Sequence, residues 1–267
     1  MKYKEIDLED QSNQIEYERI SESYPPNTKN NYHYLAEIHT ILQKIDINQI
    51  DTSQDIISRT LSNNNDIRQI QVLHSEWFPI QYEQQYYDNM LTETKNLVLE
   101  LDLTRFGFSK YIIASVIYNK KSTTFNEMKF SFKDLFTDSY CLYIQTIGVI
   151  NEFRQHGLAS YLLNHVKLEA SKSLRVKYIN LHMVTYNKSG ERFYLKNGFQ
   201  LIEKCKNYYN IENKLYDSYL FCFYVNGGQP PITFLSYLTE QISLSLSAIK
   251  SLVSKSKKFE ENDIKMI

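Results

Sequence analysis

The sequence predicts an α/β fold of the α+β type, a mixed central sheet flanked by helices and followed by a C-terminal amphipathic helix. Three observations carry this. Tyr143 to Ala170 reads as strand, polar turn and helix, with Ile144, Thr146, Ile147 and Val149 β-branched and Ala159, Leu162, Leu163, Val166 and Ala170 spaced for one buried helix face. Short strand-like runs recur on both sides of this unit, around 57–61, 97–103, 111–118, 178–184, 199–203 and 218–225. Beyond Gly227-Gly228-Gln229-Pro230-Pro231, apolar residues return every three or four positions from Ile232 to Lys258.

A chain of 267 residues suits one domain with extensions or two small domains. The expected division is an extension over 1–53, partly disordered, a domain over 54–226 and an amphipathic segment over 227–267. A net charge of −1 gives no sign of a nucleic-acid partner. Cys141, Cys205 and Cys222 form no CxxC pair, and six scattered histidines show no ligand spacing, so no metal is expected. No apolar run is long enough to span a bilayer, and the first residues carry no signal-peptide core. The oligomeric state is not legible.

Taken in order, Tyr34-Leu35, Ile38, Ile41-Leu42 and Ile45 are spaced for one amphipathic helix inside the extension. Ile57 to Leu61 fits a first strand. Asn64 or Asn65 is a candidate cap for a helix through Ile67, Ile70, Leu73 and His74, ending at Trp77-Phe78-Pro79, because Pro79 biases Phe78 away from helical geometry. That aromatic pair is either core or pocket wall. Tyr86-Tyr87 to Leu91 reads as a short helix. Leu97–Leu103 and Tyr111–Tyr118 read as antiparallel strands turning at Gly107, and Asn119–Ser139 as a polar loop. After the central unit come a strand at Tyr178–Val184, a short helix at Lys188–Lys196 stopped by Asn197-Gly198, and a strand from Phe199 to Glu203. A tyrosine-rich loop is expected over Cys205–Tyr216, then a last strand over Ser218–Val225. The 232–258 stripe fits either a helix docked on the domain or one lying in a membrane interface, apolar face down.

The strand–turn–helix unit has a chemical reading. The first N–H groups of a helix lack internal partners and favour an anion. Gly157 lets a pyrophosphate approach the backbone closely. Tyr143 and His182 fall on successive strands, where each can be structural or can handle protons.

The motifs around that unit resemble those of the GNAT N-acetyltransferases. Arg154-Gln155-His156-Gly157-Leu158-Ala159 matches the acetyl-CoA loop, written Q/R-x-x-G-x-G/A. Asn187, then Phe193-Tyr194, then Gly198-Phe199 match a second signature. SEWFPIQY at 75–82, YIQTIGVINEFRQHGLASYLL at 143–163, INLHMVTYNKSGERFY at 179–194 and FYVNGGQPPITFLSYL at 223–238 narrow the resemblance to the membrane-bound N-terminal acetyltransferases of the Golgi. The GNAT resemblance covers about residues 54–226.

That resemblance implies a GNAT fold with acetyl-CoA as co-substrate, its pyrophosphate on backbone N–H groups of Gln155, His156, Gly157, Leu158, Ala159 and Ser160 beside Arg154. It implies Ile147 and Val149 along the acetyl arm, Asn187 on the cofactor arm and Tyr194 near its sulfur. Tyr143 and His182 take the proton-handling positions. Phe78, Pro79 and Tyr82 line the substrate entrance, and Tyr208 and Tyr209 lie over the peptide. The implied substrates are protein N-termini beginning with methionine, often of membrane proteins with cytosolic N-termini. The implied location is peripheral, on the cytosolic face of the Golgi or another endomembrane, through the C-terminal helix. Gly190, where relatives commonly carry alanine, is expected to weaken its helix by about 1 kcal/mol and leave chemistry untouched.

The chemistry agrees with that assignment. Acetyl transfer needs a neutral amine; with reference pKa values of roughly 8 and 10.4, an α-amine is easier to neutralise than a lysine by about 3 kcal/mol. A mild base such as His182 therefore suffices for an α-amine. A β-bulge in the central strand would free the Val149 N–H to polarise the thioester oxygen. Lysine acetylation, including histones, and a non-catalytic membrane-associated scaffold are the competing readings.

Overall fold

The computed structural model describes residues 29–45, 47–122 and 139–229. The expected amphipathic helix at 232–258 lies outside the described residues, as do residues 1–28 and most of the polar loop expected at 119–139. Among the described residues, no helix is long and apolar enough to cross a membrane.

Helix α1 spans Lys29–Lys44. It is followed by strand β1, Ile56–Arg59, helix α2, Asn64–Trp77, and two single-turn helices, α3, Gln84–Asp88, and α4, Met90–Glu93. Strands β2, Lys95–Asp102, β3, Lys110–Ser122, and β4, Tyr140–Val149, lead into helix α5, Leu158–Ser171. Strand β5, Val176–Val184, helix α6, Lys188–Lys196, and the hairpin β6, Gln200–Ile211, and β7, Lys214–Tyr224, complete the order.

The strands form one seven-stranded sheet in the order β1-β2-β3-β4-β5-β7-β6. Every pairing is antiparallel except β4 with β5, which the crossover through α5 makes parallel. That parallel pairing is short. It runs from Tyr140↔Val176 to Tyr143↔Asn180 and stops, while β5 stays paired with β7 out to Val184↔Ser218. Beyond Tyr143 the two central strands therefore part, and the sheet opens in its middle.

The central unit folds as its periodicity predicts. Leu162, Leu163, Val166 and Ala170 are fully buried on the inner face of α5, and Ala159 is half-buried. Helix α2 is capped one residue earlier than expected: Asn63, not Asn64 or Asn65, accepts from the N–H groups of Asn65 and Asp66 at 2.9 and 3.0 Å. Three asparagines in a row made that position ambiguous; the extended backbone of Asn63 decides it. The expected helix from Tyr86 to Leu91 is broken at Asn89 into α3 and α4.

Three regions differ from expectation more substantially. Residues 119–122 continue β3 and pair with Tyr140–Tyr143. The stretch Cys205–Tyr216 is no loop but the outer part of a hairpin, closed at Glu212 and Asn213, both at positive φ, as a tight hairpin turn requires. Most residues near its tip are exposed, Ile211 and the half-buried Tyr209 apart, so little apolar alternation marks its strands. Finally, α1 precedes the expected domain start, yet Ile38, Ile41, Leu42 and Ile45 are all 8% exposed or less and belong to the same core as the sheet. The spacing that made this helix amphipathic is satisfied against α2 and the sheet, with the Tyr34 hydroxyl donating to the Ile112 carbonyl at 3.0 Å.

Candidate active site

The opening between β4 and β5 presents backbone donors. Ile117 faces Thr146 and Tyr118 faces Ile144, which leaves Gln145 as an extra residue, a β-bulge in β4. Past the bulge, the Ile150 N–H donates to the Ile113 carbonyl at 2.9 Å, on the β3 side. Alternation along a strand therefore turns the Val149 and Ile147 N–H groups toward the gap. The Arg154 Nε donates to the Val149 carbonyl at 3.1 Å, tying the following loop to this strand end.

That loop is shaped for an anion. Gln155 and Gly157 both adopt positive φ, 65° and 83°, and Gly157 caps α5. The Tyr161 N–H is the first to find a helical acceptor, the Gly157 carbonyl at 3.0 Å. The N–H groups of Leu158, Ala159 and Ser160 thus project from the helix start, where the peptide dipoles favour negative charge. The His156 Nδ1–H donates to the Arg154 carbonyl at 2.8 Å and holds the turn. Arg154, Gln155, His156 and Gly157 are exposed, and a Cβ built on Gly157 would meet nothing within 4 Å. A solvent-facing nest of backbone donors fits the pyrophosphate of acetyl-CoA.

At the point where the strands part, Tyr143 and His182 meet. The Tyr143 hydroxyl lies 3.0 Å from His182 Nδ1 and 3.4 Å from the Tyr208 hydroxyl. The Tyr208 ring stacks on the imidazole at 4.1 Å and 12°. Burial, and then the nearby Lys121 ammonium, pull the His182 pKa down to about 4. Lys121 Nζ sits 4.1 Å from the Tyr143 ring centre, over its face. Burial and the neighbouring Tyr208 push the Tyr143 phenol well above its ordinary value. At neutral pH the pair is a neutral imidazole and a neutral phenol. If Nδ1–H donates to the phenol oxygen, Nε2 offers a lone pair; if Nδ1 accepts, it draws the phenol proton toward itself.

Tyr208 reaches His182 through a second irregularity. Between Cys205↔Ser218 and Tyr209↔Tyr216, strand β6 carries three residues where β7 carries one. Asn207 takes φ 53°, and its N–H donates to Asp217 at 3.0 Å. Lys204 Nζ holds the same carboxylate at 2.8 Å. Tyr209 packs edge-on to Tyr208 at 4.8 Å.

The remaining predicted residues spread around this centre. Tyr82 stacks on Tyr86 at 4.8 Å and packs edge-on to Phe78 at 6.1 Å. Pro79 is exposed beside them. These rings surround the fully buried His74, whose pKa burial lowers to about 3. Tyr194 is 8% exposed among Phe193, Phe199 and Phe221, and burial raises its pKa. Asn187 caps α6, its Oδ1 accepting from the Gly190 N–H at 2.9 Å and the Ser189 hydroxyl at 3.0 Å, so its Nδ2 is the end left to meet a ligand. A Cβ on Gly190 would lie 2.6 Å from Met183 Sδ and 2.7 Å from Asn187 Nδ2. A Cβ there would crowd the capping Asn187 and Met183, an effect that adds to the expected loss in helix propensity.

Sequence reasoning did not find Lys121, Asp217, Asn207 or the contact between Trp77 and Gly148. A Cβ on Gly148 would sit 2.1 Å from the Trp77 ring, so the indole closely approaches β4 between Ile147 and Val149. Glycine inside a β-branched strand was the available signal for that close approach.

Comparison with known proteins agrees with this geometry. Residues 116–201 match the acetyltransferase (GNAT) domain family. The chain is 32% identical over 194 residues to N-alpha-acetyltransferase 60 of Danio rerio, covering 70% of this chain and 77% of that protein. It is 22% identical over 216 residues to histone acetyltransferase MCC1 of Arabidopsis thaliana, covering 77% of this chain and 85% of the relative. Among solved structures, it resembles Arabidopsis thaliana NAA60 in complex with a bisubstrate analogue, with a TM-score of 0.58 and 26% identity over 64% of this chain and 99% of that one.

Proposed function

The chain belongs to the GNAT acetyltransferases, enzymes that draw on acetyl-CoA, and from that premise we propose that it acetylates the free N-terminal α-amine of proteins, those beginning with methionine first. The observation that carries this reading is the neutral Tyr143–His182 pair at the point where β4 and β5 part. A weak base kept neutral by burial suits an α-amine, of which about a tenth or more is already neutral near pH 7. The similarity to N-alpha-acetyltransferase 60 supports the same choice.

Acetyl-CoA supplies an activated acyl carbon, and the chain supplies position and proton traffic in a ternary complex. Backbone N–H groups from Gln155 to Ser160, with Arg154 beside them, hold the pyrophosphate. The Val149 N–H donates to the thioester oxygen, next to Ile147, and offsets the charge that grows there as the amine adds. His182 removes the amine proton directly or through water, and Tyr143 orients it and relays the proton. Tyr194, kept protonated by burial, donates to the departing sulfur. Asn187 Nδ2 steadies the cofactor arm. Phe78, Pro79, Tyr82, Tyr208 and Tyr209 wall the groove that admits an unfolded N-terminus and excludes water.

A library of peptides varied at positions one and two tests the acceptor. Methionine followed by lysine, valine, alanine or methionine is expected to react fastest; equal rates for all starting residues contradict the proposal. Lysine acetylation is the second reading, favoured by the relative named as a histone acetyltransferase. We further propose that residues 54–226 carry the acetyltransferase domain, with α1 of the preceding extension docked on its core, and that the chain attaches peripherally to the cytosolic face of the Golgi or another endomembrane through 232–258. Removing residues 232–267 should move the protein to the soluble fraction with peptide acetylation largely intact; persistent membrane association contradicts this.

A further inference from the structure

A polar cluster outside the acyl-transfer centre joins three elements. His39 on α1 contacts Glu152 through Nδ1 and lies 3.6 Å from Glu76 on α2 through Nε2. The three side chains are 22%, 29% and 17% exposed. The bonds to Glu152 and then Glu76 raise the His39 pKa to about 10, against the opposing effect of burial. Glu152 is itself lowered: burial works against its charge, and the His39 bond outweighs it. At neutral pH His39 is an imidazolium held against the Glu152 carboxylate, with Glu76 beside it.

The position of Glu152 gives this cluster its consequence. Glu152 sits in the 3-10 turn Asn151–Phe153, which leads directly into Arg154, Gln155, His156 and Gly157. The turn is fixed on one side by Phe153, 2% exposed, and by the Phe153 N–H donating to the Ile150 carbonyl at 3.1 Å. Its other side is held by His39. Without its imidazolium, a carboxylate there would stand two residues before Arg154 at the root of the pyrophosphate loop, and partial burial would limit the solvent screening of its charge. The imidazolium offsets that charge and fixes the turn at once.

We propose that His39 is a positioning residue for acetyl-CoA binding, acting chiefly by offsetting the Glu152 charge at the root of the pyrophosphate loop. This rests on the assignment of residues 154–160 as the pyrophosphate seat and is independent of which amine is the acceptor.

The test uses the full chain and the variants His39→Ala, His39→Lys, Glu152→Gln and the double variant His39→Ala/Glu152→Gln. Acetyl-CoA Kd is measured by calorimetry, KM for acetyl-CoA and for peptide by kinetics, and folding by thermal melts. His39→Ala should weaken acetyl-CoA binding about five- to tenfold, the lower end of typical coupling between sites. Peptide KM at saturating acetyl-CoA should not change. The double variant should recover most of the loss, because the uncompensated charge is gone, and His39→Lys should stay near wild type. If His39→Ala does not fold, Glu152→Gln alone remains decisive: its acetyl-CoA Kd should be unchanged or tighter. An unchanged Kd in folded His39→Ala, an equal loss in the double variant, or weakened binding in Glu152→Gln overturns the proposal. A wild-type chain that binds no acetyl-CoA would instead overturn the pyrophosphate seat itself.

Discussion

The surroundings of His182, the proposed base, keep it unprotonated at neutral pH at the expense of basicity. Burial first, and Lys121 second, hold its pKa near 4, below the ordinary 6.5. The sign has two consequences. Between those two values an unfolded chain takes up a proton that the folded chain refuses, so His182 erodes stability as pH falls through 6.5 toward 4. Through the same window the folded imidazole stays unprotonated. The rate at low peptide concentration should therefore rise with the deprotonation of the acceptor amine, with an apparent pKa of roughly 8. It should show no inflection near the ordinary histidine value. A kcat/KM profile from pH 5 to 9 checks this. His182→Ala should lower kcat by at least about a hundredfold, as removal of a general base does. Tyr143→Phe keeps the ring and loses the hydroxyl, and should fall between that variant and wild type.

At the scale of elements, two irregularities in otherwise regular strands build the centre. The β6 bulge brings Tyr208 onto His182, and Asp217 holds it by accepting from Asn207 and Lys204. Asp217→Ala should raise peptide KM about threefold or more while acetyl-CoA KM stays constant. Steady-state kinetics in both substrates checks that split. Gly148 is the counterpart in β4. Gly148→Ala drives a methyl into the Trp77 ring, and overpacking of this kind costs about 1–3 kcal/mol, readable as a lower urea midpoint. The sequence made elements with strong periodicity legible: α5, β5 and α6 fall within two residues of their expected limits and β4 within three. It hid the outer β6–β7 hairpin, because exposed strands on a solvated arm need no apolar alternation. The bulges were hidden for a related reason: a β-bulge is a pairing register, and register belongs to two strands at once. Tyr143 and His182 could be singled out from motif resemblance, but Lys121 and Asp217 enter only through tertiary contact.

At the scale of the molecule, the sheet is a single layer split in its middle. One edge of the split carries Val149 and the start of α5, the proposed pyrophosphate seat; the other carries His182 and leads to Asn187. Helix α1, which the sequence placed in an extension, completes the core on the β3 side and reaches the cofactor loop through His39. Its stripe was legible, but its docking partner was not, since the stripe alone does not say which surface receives it. The central claim is that this architecture serves an α-amine. Two peptides of one sequence, beginning with methionine and containing an internal lysine, decide it: one with a free N-terminus, the other N-terminally blocked. Incubated with acetyl-CoA and the full chain, and read by mass spectrometry, the free peptide should gain one acetyl group at its α-amine and the blocked peptide almost none. Equal or faster acetylation of the blocked peptide on lysine would contradict the account.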